Sequence, residues 1–130
     1  MSESARPLSP FLHYRWRHTN TLSILHRMTG LILSVGLLLF VYWLMAVAGG
    51  ARAYARASGV LSLSAFKLMY ALLLVAFSYH LVAGIRHLVW DTGRGLERET
   101  ARRSARLVVI IPILLAIWLG YWAFTRGYAS

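Results

Sequence analysis

The sequence predicts an all-α fold, a three-helix transmembrane bundle with its N-terminus in the cytoplasm. Three observations carry this prediction. The composition is 58% hydrophobic and only 14% charged, with a mean hydropathy of +0.58, outside the balance of a soluble domain. Three apolar stretches, at 29–47, 66–90 and 107–124, match the ~20 residues that a helix needs to cross ~30 Å of hydrocarbon. The charges crowd into the segments before and between them. With 130 residues in all, no room remains for a sizeable globular part, so the chain reads as one membrane-anchor domain, 1–130.

The N-terminal segment MSESARPLSPFLHYRWRHTN has no contiguous apolar core and no obvious cleavage site, so it is read as retained and not as a signal peptide. The first span ends near Tyr42 and Trp43, aromatic residues suited to a membrane–water boundary. Gly49, Gly50 and the Ala/Arg/Ser/Gly run to Gly59 read as a short outer connection with room for a helical turn. The second span, closed by Trp90, is long enough to tilt or to emerge from the bilayer. Residues 91–106 mix Gly93, Gly95 and alternating charges, and read as a solvated inner loop. Pro112 lies early in the third span, where neighbouring groups can re-satisfy the freed carbonyl, so it kinks the helix without ending it. Trp118, Tyr121 and Trp122 anchor the far end.

Basic residues orient the chain. Arg6, Arg15, Arg17 and Arg27 precede or open the first span, and Arg94, Arg98, Arg102, Arg103 and Arg106 follow the second. The other side has Arg52, Arg56, Lys67 and Arg126, so nine basic residues against four place the N-terminus and the second connection in the cytoplasm. The net charge of +10 thus marks topology and contact with anionic lipid; the chain carries no groove-reading motif that would point to nucleic acid. The absence of cysteine excludes disulfides, thiolate nucleophiles, iron–sulfur ligation and CxxCH haem attachment by this chain. Histidine is the strong soft ligand left.

His80 is a polar side chain near the middle of the second span, where an ionisable group is costly and signals function. In YHLVAGIRHLVWD, residues 79–91, His80, Gly84 and His87 fall at i, i+4 and i+7 and share one helix face. About 10 Å of axial rise separates the two histidines, too far for both to ligate one small ion. The spacing suits a planar cofactor held at its centre by His80, with a polar edge at the inner surface; haem is such an object. Gly84 leaves space for its close approach. The competing reading is a histidine hydrogen-bonded to another helix, and His87 alone also suits a solvated interfacial histidine.

A second group, TLSILHRMTG at 21–30, opens the first span. Ser23 and Arg27 share a face, as do His26 and Gly30. His26 and Arg27 stand at the depth where propionates of a haem on His80 would emerge. Ser23 and Arg27 offer a hydroxyl and a fixed cation to a carbonyl oxygen that gains negative charge on reduction. The alternative is a helix-capping serine and an arginine that snorkels to the surface.

Together, RPLSP, SILHRMTG and HLVAGIRHLVWD resemble, in order and spacing over nearly the whole chain, the cytochrome b subunit of succinate dehydrogenase, respiratory complex II. The resemblance implies a three-helix anchor that packs with a second hydrophobic anchor subunit and tethers the iron–sulfur and flavoprotein subunits in the inner, cytoplasmic membrane. It implies that His80 is an axial ligand of haem b, the other coming from the second anchor, and that Ser23 and Arg27 line a ubiquinone pocket completed by partner subunits. It also implies that His26, Arg27, Arg86 and His87 border the haem propionates. An anchor of a quinol:fumarate reductase, or a haem-free structural membrane subunit, are the alternative readings. One departure stands out: many relatives have histidine directly after RPLSP, where this chain has Phe11, with histidine only at His13.

Overall fold

In the computed structural model, which describes residues 18–127, four helices follow one another. They are α1 (His18–Ala48), α2 (Ala51–Leu61), α3 (Ser64–Asp91) and α4 (Arg98–Gly127). RPLSP, Phe11 and His13, with Arg6, Arg15 and Arg17 of the orientation argument, lie outside the described residues. Three helices are long and apolar enough to cross a membrane, over Asn20–Ala48, Ser64–Asp91 and Arg98–Arg126. The 31 residues of α1 amount to roughly 46 Å at 1.5 Å per residue, more than a ~30 Å hydrocarbon layer requires.

Two expectations need correction. The connection after α1 holds more than a single turn: Ala51–Leu61 forms an 11-residue helix. Four alanines and two arginines between Ala51 and Ala57 favour helix strongly enough to outweigh Gly59. Gly50, at φ 81°, takes the left-handed conformation that separates α1 from α2. The connection after α3 is likewise shorter than 91–106, because α4 already begins at Arg98. RETARRSAR contains no breaker, and Glu99 accepts an i,i+4 hydrogen bond from Arg103 Nε at 3.2 Å. Pro112 sits buried inside α4, which runs through it.

Helix α3 lies between α1 and α4 and packs on both, while α2 rests on α1. The residues that bury are small for the most part: Ala46, Ala57, Ala76, Ser78 and Ala83, with Val108 and Arg86. Small side chains let helix backbones approach closely where lipid removes any hydrophobic drive for helices to associate. Gly36 serves the same end, since a Cβ there would collide with the Leu73 side chain. Leu38, Leu68, Ile117 and Tyr121 point outward, a surface matched to hydrocarbon and not to water.

Candidate functional site

The α1–α3 contact holds three stacked imidazoles. His26 comes from α1, His80 and His87 from positions about two turns apart on α3. The His26 ring stacks on His80 at a centroid distance of 4.1 Å and on His87 at 5.0 Å. Among the described residues no three metal-binding side chains converge on one point; the rings are piled face to face.

His80 is held by its Nδ1 edge. That nitrogen lies 3.2 Å from the His26 carbonyl oxygen and 3.2 Å from Thr29 Oγ1. The Thr29 hydroxyl itself donates to the His26 carbonyl at 2.8 Å. A carbonyl oxygen only accepts, so this contact calls for the proton on Nδ1, and in the neutral ring that leaves the lone pair on Nε2. Stacking engages the face of the ring, whereas a metal uses the in-plane lone pair of a nitrogen, so the contact with His26 does not compete with ligation. A backbone carbonyl on the far nitrogen is the usual orienting partner of a ligating histidine.

Glycines face this packing on both helices, and at Gly30 the missing side chain is needed. A Cβ on Gly30 would lie 3.2 Å from His80 Cε1, tighter than ordinary contact. Gly84 faces His26, whose Nε2 would lie 3.8 Å from a Cβ at that position. That Nε2 is the one buried side-chain nitrogen or oxygen without a hydrogen-bond partner among the described residues. An unmet buried polar atom is costly and calls for a reason.

The remaining sequence-predicted residues divide between the two sides of α3. On α1, Ser23 is half-buried and Arg27 is exposed, one turn apart beside His26. Arg86 is buried and turned toward α4, donating from Nε to Ser104 Oγ at 3.0 Å and from a terminal nitrogen to the Ala101 carbonyl at 3.3 Å. Its guanidinium lies 3.8 Å over the Trp90 ring, a cation–π contact. Trp90 in turn meets His87 edge-on at 5.5 Å and donates to the Gly95 carbonyl at 3.1 Å. Arg86 therefore borders the histidine column through Trp90 while its donors serve α4.

Sequence reasoning gave no site role to Thr29, Tyr79 or Ser104, and read Trp90 only as an aromatic at the end of its span. Thr29 lies inside the HRMTG motif, three residues after His26, so a helical net could have raised it. Tyr79 immediately precedes His80, and its hydroxyl donates to the Leu22 carbonyl at 2.9 Å. Nothing local predicts that contact, because Leu22 is 57 residues away.

The sequence matches the succinate dehydrogenase/fumarate reductase transmembrane subunit family over residues 2–119. It is 37% identical over 113 residues to the succinate dehydrogenase cytochrome b556 subunit of Paracoccus denitrificans, covering 86% of this chain and 87% of that one. The cytochrome b556 subunit of Rickettsia prowazekii is 38% identical over 119 residues, with 88% of this chain and 90% of that one covered. The human mitochondrial cytochrome b560 subunit is 34% identical over 119 residues, with 89% and 70% covered. With three spanning helices and matches of this extent, the chain is a membrane protein and belongs to the family of succinate dehydrogenase cytochrome b subunits.

Proposed function

We propose that this chain is the haem b-binding anchor of a succinate:ubiquinone oxidoreductase, with its N-terminus in the cytoplasm. It tethers the iron–sulfur and flavoprotein subunits and packs with a second hydrophobic anchor subunit. The observation that carries the reading is the anchoring of His80 Nδ1 by the His26 carbonyl and Thr29. It supports an Nε2 lone pair available to iron in a ring whose rotation is restrained. The cytochrome b names of the Paracoccus and Rickettsia relatives agree with this.

His80 would hold the haem iron through its Nε2, with a second imidazole coming from the partner anchor. His26, Arg27 and His87 border the propionates, with Arg86 behind them. The buried, unpartnered His26 Nε2 fits this role, since a propionate oxygen would give it the acceptor it lacks. Gly84 keeps the intervening face free of a side chain. Bound haem b offers a one-electron store beside the quinone. Ser23 and Arg27 orient the quinone and donate hydrogen bonds to the carbonyl oxygen on which negative charge grows, the arginine as a fixed cation. Succinate oxidation belongs to the flavoprotein, and this chain contributes binding and orientation.

Replacing His80 by Ala in the purified complex should abolish the bis-imidazole signal in the reduced-minus-oxidised spectrum; an unchanged signal refutes the ligand assignment. Arg27→Ala should depress quinone reduction while succinate oxidation by an artificial acceptor persists, and equal loss of both would point to failed assembly instead. The family description also covers fumarate reductases, so the quinone content of the source membrane discriminates the reverse direction.

A further inference from the structure

Two adjacent residues of α3 reach across to two carbonyls of α1. His80 bonds the His26 carbonyl, and the Tyr79 hydroxyl donates to the Leu22 carbonyl at 2.9 Å. Leu22 and His26 are four apart, so both carbonyls belong to one ladder on one face of α1. Leu22 directly precedes Ser23 in α1. A side-chain bond to Leu22 from a neighbouring helix restrains their turn of the helix. Tyr79 and Leu22 are both half-buried, which shields the bond from competing water.

We infer that Tyr79 is a positioning residue for the quinone pair: its hydroxyl fixes the turn of α1 at Leu22 and so sets Ser23 and Arg27 against His80. This rests on the proposed quinone role of Ser23 and Arg27. Tyr79 acts through the backbone, and its phenol proton stays on the phenol. The same side-chain pair, Tyr79 and His80, thereby ties the quinone end of α1 to the haem-facing ring in one register.

The test compares Tyr79→Phe, Ser23→Ala and the double variant in the purified complex, with a short-chain ubiquinone as acceptor. Loss of a single hydrogen bond corresponds to roughly a 3- to 10-fold effect. Tyr79→Phe should raise the quinone KM by about that factor, with kcat, the haem spectrum and artificial-acceptor activity unchanged. The double variant should show less than the product of the two single effects. Amide exchange across residues 21–26 should quicken in Tyr79→Phe, a readout independent of turnover. An unchanged KM in Tyr79→Phe beside a raised KM in Ser23→Ala overturns the inference alone, as do multiplicative effects or an altered haem spectrum. An unchanged KM in Ser23→Ala refutes the quinone reading beneath it.

Discussion

The two flanks of α3 solve the same problem in opposite ways. Each sends polar side chains across the membrane interior to a neighbouring backbone: His80 and Tyr79 to carbonyls of α1, Arg86 to a carbonyl and a serine of α4. On the α4 side the donors are met and the cation is covered by Trp90. On the α1 side a buried nitrogen of His26 is left unpaired, and Arg27 stands exposed beside it. A satisfied polar contact joins helices; the unsatisfied one at His26 is the feature on which its proposed propionate contact rests.

The contrast is most exposed to Arg86→Leu. Removing the guanidinium takes the Nε donor from Ser104 Oγ and one of two donors from the Ala101 carbonyl, which still accepts from Ser104 Oγ at 3.1 Å, a loss of about 2–3 kcal/mol for hydrogen bonds from a charged group. Thermal melting of the purified complex should fall clearly while the haem spectrum persists, the reverse of His80→Ala. Complete loss of haem in Arg86→Leu would show that the α4 flank belongs to the site. Gly30→Ala pushes a methyl to 3.2 Å from His80 Cε1, an overpacking of about 1 kcal/mol. A displaced haem midpoint potential with unchanged assembly is expected, and an unmoved potential would mean that His80 has slack. Thr29→Val removes one of the two acceptors at His80 Nδ1 but leaves the His26 carbonyl. Its effect should be smallest, about 0.5–1 kcal/mol, read as a slight shift of the same potential; a loss of haem as complete as in His80→Ala would make the hydroxyl the principal anchor.

Much of this was legible in the residues themselves. The apolar stretches announced three helices because hydropathy over some twenty residues is a local property. The i, i+4, i+7 spacing of His80, Gly84 and His87 was readable for the same reason. The glycines misled around α2, where Gly49, Gly50 and Gly59 suggested a loop although the alanines and arginines between them form a helix. The early start of α4 was missed because a run of charges was equated with solvation, while Arg, Glu and Ala are also good helix formers.

The sequence by itself determined the spans, their order and which residues share a helix face, since these depend on contacts within a few positions along the chain. Only the tertiary structure decided that His26 lies between His80 and His87, that Arg86 turns to α4, and that Tyr79 grips Leu22. Those outcomes depend on which helix packs against which, and at what rotation. Apolar surfaces of similar character do not encode that choice; small residues and a few long-range hydrogen bonds do.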